Sequence, residues 1–144
     1  PSNVSNNYMK ILIYIFFFLL ISCNYSENFE SKIIENLYSE LKNEKNFDSD
    51  LKIETLSAFL EKIEVSDLKK GQKFESEYFF EKCNCNCIDR ISILYSKEKE
   101  CFELNIYEEY FEEDLDWCPE TSYLFTFRIE NGKINNLKLE YIAG

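Results

Sequence analysis

Tyr123-Leu124-Phe125-Thr126-Phe127-Arg128-Ile129-Glu130-Asn131-Gly132-Lys133 is the most regular stretch of this chain. Tyr123, Phe125, Phe127 and Ile129 alternate with Leu124, Thr126, Arg128 and Glu130, so one set lies on one face of a strand and the other on the opposite face. Asn131-Gly132 supplies two residues that tolerate φ > 0, which a tight two-residue turn requires, so the chain doubles back as a hairpin. Beyond the turn Leu137, Leu139 and Tyr141 share a phase, and Ile134 is out of phase with them. That mismatch predicts a bulge near Asn135-Asn136.

The same period of two extends upstream. Phe102, Leu104 and Ile106 alternate with Cys101, Glu103, Asn105 and Tyr107. Ile91, Ile93 and Tyr95 alternate with Arg90, Ser92 and Leu94, and a charged turn, Lys97-Glu98-Lys99-Glu100, joins the two segments. Phe74, Tyr78 and Phe80 lie mainly opposite Glu75, Glu77 and Glu81. Short connections make consecutive strands antiparallel neighbours, giving a sheet of about five strands.

Before Phe74 the period lengthens. Phe29, Ile33, Ile34, Leu37 and Leu41 form a one-sided helical stripe, with Ser26 as the expected N-cap and Glu27 and Glu30 at the positive end of the helix dipole. Leu56, Phe59, Leu60 and Ile63 predict a second helix over residues 50–64, and the stretch 66–72 with Gly71 reads as a breaker. The fold class is therefore α+β: two N-terminal helices packed on one face of the antiparallel sheet. This order, ending in Phe127-Arg128-Ile129-Glu130-Asn131-Gly132-Lys133-Ile134, resembles the cystatin-like and nuclear-transport-factor-2-like folds. It is also similar to the two-helix-plus-sheet shape of outer-membrane assembly lipoproteins and β-lactamase-inhibitor proteins.

The N-terminal stretch speaks of location. Lys10 precedes an unbroken apolar run over residues 11–21. As a helix this run would span about 16 Å, too short to cross a bilayer, and it matches the apolar core of a secretory signal. Its end, Leu20-Ile21-Ser22-Cys23, resembles the lipobox of bacterial lipoproteins. The resemblance implies cleavage between Ser22 and Cys23 and a thioether-linked diacylglycerol on Cys23; two or more acyl chains anchor stably where one does not. Residues 1–8 are read as an extension ahead of the start at Met9, 9–22 as the signal peptide, 23–27 as anchor and tether, and 28–144 as a single domain. The implied location is a bacterial cell envelope.

The chain carries 27 acidic and 16 basic residues, a net charge of −11, which disfavours nucleic acid as a partner. Aromatic content of 17% argues for a packed core and against disorder. Five cysteines follow Cys23: Cys83, Cys85, Cys87, Cys101 and Cys118. In an oxidising compartment all five are candidates for disulfides, and an odd number leaves one unpaired, bridged to another chain or bound to metal. Within Cys83-Asn84-Cys85-Asn86-Cys87 an extended chain puts i and i+2 about 6.6 Å apart, too far for an unstrained bridge between them. Cys101 and Cys118 are then the expected partners. The alternative is soft-metal binding or redox chemistry by the Cys83, Cys85 and Cys87 thiolates.

The chain has no histidine, which removes the commonest general base and a principal metal ligand, and it holds no standard catalytic motif. No cofactor is implied. A small enzyme of the nuclear-transport-factor-2-like kind, built on Asp and Tyr alone, is the catalytic alternative. The acidic stretch 108–116 lacks the spacing of a calcium loop and reads as a solvated loop. Tyr110 and Phe111 within it and Trp117 just after it are candidate binding aromatics, toward an envelope protein or a small apolar ligand.

Overall fold

A computed structural model describes residues 28–80, 87–110, 114 and 119–143. The elements run α1 (Ser31–Asn43), α2 (Ile53–Leu60), α3 (Val65–Lys70), β1 (Phe74–Phe80), β2 (Cys87–Ser96), β3 (Cys101–Glu109), β4 (Glu120–Glu130) and β5 (Lys133–Ala143). The five strands form one antiparallel meander in sequence order. The expected α+β architecture is thus present, with three helices in place of two among the described residues. No helix among the described residues is long and apolar enough to cross a membrane.

The sheet register lines the apolar phases up in rows. Phe74, Ile93, Leu104, Phe125 and Leu139 are successive neighbours across the five strands. Tyr95, Phe102 and Phe127 make a second row; Phe102 stacks on Phe127 at 5.4 Å and meets Tyr95 edge-on at 5.1 Å. Against this face α1 buries Ile33, Ile34, Leu37 and Leu41, the stripe expected from spacing. Phe47, in the segment after α1, packs edge-on to Tyr123 and Phe125.

Three boundaries differ from expectation for tertiary reasons. The first helix begins at Ser31, with Glu30 in the cap position and no side-chain cap; Ser26 lies outside the described residues. Asn28 instead pairs with Glu64 in an isolated antiparallel bridge, so Phe29 reaches Phe102 from an extended segment. The second helix is shorter than 50–64, because Leu51 and Ile63 are buried from flanking turns. The expected breaker holds a six-residue helix, α3, which buries Val65 and Leu68. Gly71 still punctuates: at φ 101° it closes α3, with its N–H donating to Leu68 O and the Gln72 N–H to Asp67 O.

The hairpin reading is met at β4–β5. Asn131 and Gly132 have φ of 52° and 69°, as a mirror-image turn requires. The register shifts between Thr126 and Arg128 against β5, where Asn136 sits at φ 54°, and again between Leu124 and Phe125. The first shift is the bulge anticipated from the phase of Ile134. Together the two kink an eleven-residue edge strand that a flat ladder would leave open to stray pairing.

Candidate functional site

The strands give the sheet two distinct ends. One end holds the β2–β3 and β4–β5 turns. At the other, β1 runs out at Phe80, β2 begins at Cys87, β3 ends at Glu109 and β4 begins at Glu120. The sequence candidates fall mainly at this second end. Cys87 opens β2 opposite Phe80, and Tyr110, 44% exposed, follows β3. Pro119, the residue after Cys118, precedes β4, and the Tyr110 N–H donates to Pro119 O at 2.9 Å. The β2 start is tied to the β3 end: the Ile88 N–H donates to Glu109 Oε2 at 2.9 Å, and the Glu109 N–H to Asp89 Oδ1 at 3.1 Å. Cys87 and Pro119 flank β3 from opposite sides, so about two strand spacings, near 10 Å, separate them laterally.

Cys101 is not part of this group. It sits at the β3 start, opposite Ser96, nine residues along β2 from Cys87, a separation of about 30 Å. It is a buried free thiol, 7% exposed, and burial pushes its pKa up, the condition of an unreactive cysteine. Cys101 therefore cannot reach Cys87, and it stands unbridged among the described residues. Cys83, Cys85, Cys118, Phe111 and Trp117 lie outside the described residues, as do Ser22 and Cys23. Among the described residues no group of His, Cys, Asp or Glu is arranged to hold a metal ion.

Carboxylates dominate the chemistry of this end. Tyr107 lies between Glu109 and Glu120, which face each other across β3 and β4; its hydroxyl is 2.9 Å from Glu109 Oε1 and 2.5 Å from Glu120 Oε2. Burial, then these two acceptors, push the phenol well above its ordinary value. Arg90 covers the Tyr107 ring at 5.1 Å and pairs with Glu77 at 3.0 Å. On the helix side the Ser49 hydroxyl donates to Glu108 at 2.5 Å and accepts from the Leu51 N–H, while Lys42 donates to the Ser49 carbonyl. Tyr123 donates to Asp48 O at 2.8 Å, and Tyr38 to Leu51 O at 3.1 Å. The segment before α2 is thereby fastened to the sheet.

Between this segment and the sheet lies a narrow crevice of about 10 Å³, lined by Asp50, Thr55, Tyr78, Asp89 and Glu108 among others. It falls below the usual size of small-molecule pockets, about 300 to 1,000 Å³. A broader open groove, about 420 Å³, crosses the other end of the sheet beside Cys101, rimmed by Lys99, Arg128, Lys138 and Glu140. The Tyr107–Glu109–Glu120 and Ser49–Glu108 contacts were not legible in the sequence. Tyr107 and Glu109 share a strand phase, but Glu120 and Ser49 join them only through strand register and helix packing.

The chain matches no protein-family model, and comparison with characterised proteins and with solved structures finds no match.

Proposed function

We propose that this chain is a non-catalytic, exported lipoprotein, anchored through acyl chains on Cys23 after cleavage at Ser22, whose α+β domain serves as a membrane-tethered binding module of a bacterial cell envelope. The observation that carries the binding reading is the convergence at one end of the sheet. Exposed Tyr110 stands beside Pro119, and Ile88, the residue after Cys87, donates its N–H to the carboxylate of Glu109, the residue before Tyr110. The loops bearing Cys83, Cys85, Phe111, Trp117 and Cys118 begin and end there. With Cys101 remote, Cys118 and one cysteine of the triplet Cys83, Cys85 and Cys87 form the disulfide that staples this end. A narrow cleft favours an envelope protein over a small apolar ligand as the partner.

The test has two parts. Intact mass of the protein from its native membrane, without reduction, is expected to begin at Cys23, carry acyl chains and lack the protons of the bridged thiols. A retained metal ion in that mass would move the cysteine triplet to the metal-binding alternative. A photo-crosslinking side chain at Tyr110 is expected to give a discrete protein adduct in cells that the same group at Tyr141, on the β5 edge, does not. Equal adducts at both positions would sink the assignment of the binding end.

A further inference from the structure

The described domain begins at Asn28, and its neighbours fix which end of the sheet the tether leaves from. Asn28 pairs with Glu64, the residue before α3. The α3 cap, Gly71, approaches the β2–β3 turn: a Cβ there would lie 4.0 Å from Lys97 Nζ. Phe29 meets Phe102, the second residue of β3, at 6.0 Å between ring centres. The tether therefore emerges at the turn end, opposite Tyr110 and Cys87.

Charge divides along the same axis. The turn end mixes signs: Lys70 pairs with Asp67, Lys73 with Glu75, and Lys99 with Glu103 and Glu140. The far end gathers Asp48, Asp50, Asp89, Glu108, Glu109 and Glu120 against Lys42 and Arg90 among the side chains described there. The excess negative charge of the chain is thus concentrated away from the tether.

From these placements we infer that the domain stands upright on its membrane, the β2–β3 turn and residues 69–73 facing the lipid headgroups and the acidic, Tyr110-bearing end facing away. This rests on the anchored reading above. Two lengths decide it. Five residue steps from Cys23 to Asn28 span at most about 18 Å. β4, with eleven residues, spans about 36 Å. An inverted domain would lift Asn28 about 30 Å or more above the headgroups, beyond the reach of that tether. A domain lying flat would bring the acidic end within a Debye length, about 8 Å, of anionic headgroups, where like charges repel. The upright pose holds that end several Debye lengths away and places only the charge-balanced end at the surface.

The experiment uses the full chain, processed and acylated in a bacterial host and reconstituted into vesicles of phosphatidylglycerol and phosphatidylethanolamine that carry a nitroxide-labelled headgroup. A fluorescent side chain replaces Lys97 in one variant and Asp114 in another; both positions are exposed, so neither label enters the core. Quenching is expected to be several-fold stronger at 97 than at 114. Co-flotation with the vesicles and equal quenching at both sites, or stronger quenching at 114, overturns the orientation alone. Failure to float, with no acyl chain in the mass, overturns the anchored reading and the orientation with it.

Discussion

Tyr107 has one phenolic proton and two carboxylates placed to receive it. Like charges directly opposite across a strand pair are destabilising, so Glu109 and Glu120 oppose folding where they face each other. Glu120→Gln is expected to stabilise the domain by about 0.2–1 kcal/mol in urea denaturation at neutral pH. No gain, or a loss, would mean that the carboxylate of Glu120 is needed where it stands. Tyr107→Phe should cost about 1 kcal/mol at the same pH, since it leaves both carboxylates without the hydroxyl. The pH dependence follows in sign. Burial raises the pKa of Tyr107 and Tyr123 above the ordinary 10.0, and hydrogen bonds to Glu140 and Glu103 raise Lys99 from 10.5 to about 12. Each group holds its proton more tightly when folded. Their contributions are therefore complete below about pH 10 and are lost as pH rises through the folded values. Stability is expected to be flat from neutrality to about pH 10 and to fall beyond it. Tyr107→Phe should make that fall shallower, and an unchanged alkaline slope would remove Tyr107 from the account.

The strands and the first helix follow from short-range pattern. The α1 stripe was readable because residues three and four apart share a helix face, and all four of its buried residues lie on that face. Leu37→Ala, at a site with no solvent exposure, is expected to cost about 2–5 kcal/mol. The β4–β5 hairpin was readable from Asn131-Gly132 because few side chains tolerate φ > 0. Gly132 has φ 69° and open space where a Cβ would go, so Gly132→Ala tests backbone strain without a clash. A cost of about 1 kcal/mol is expected, read as a lower denaturation midpoint with an unchanged slope. The third helix escaped the pattern because six residues hold too little periodicity to register. Such a helix is marginal on its own and forms here because the core takes up Val65 and Leu68.

In the molecule as a whole, the two ends of the sheet separate what the sequence left as one pool of cysteines. Cys101→Ala is expected to leave the non-reduced mass unchanged apart from the substitution, and the response of stability to reductant unchanged as well. Cys118→Ala should alter both. In the native protein Cys101 should resist an alkylating agent until denaturant is added, given its 7% exposure. Rapid labelling of the folded chain at Cys101 would contradict its burial. The upright pose belongs to this scale too, since it depends on tether reach, sheet length and charge distribution together.

The α+β class, the meander of strands, the turn at Asn131-Gly132 and the bulge near Asn136 were determined by the sequence itself. Each depends on steric and hydrophobic preferences among residues a few positions apart. The convergence of Tyr110, Pro119 and Cys87, the isolation of Cys101, the pairing of Glu109 with Glu120 through Tyr107, and the seating of Phe29 against Phe102 at the β3 start were decided only by the tertiary structure. Those relations join residues dozens of positions apart. Strand register sets them, and register is chosen by the burial of the whole sheet face against the helices.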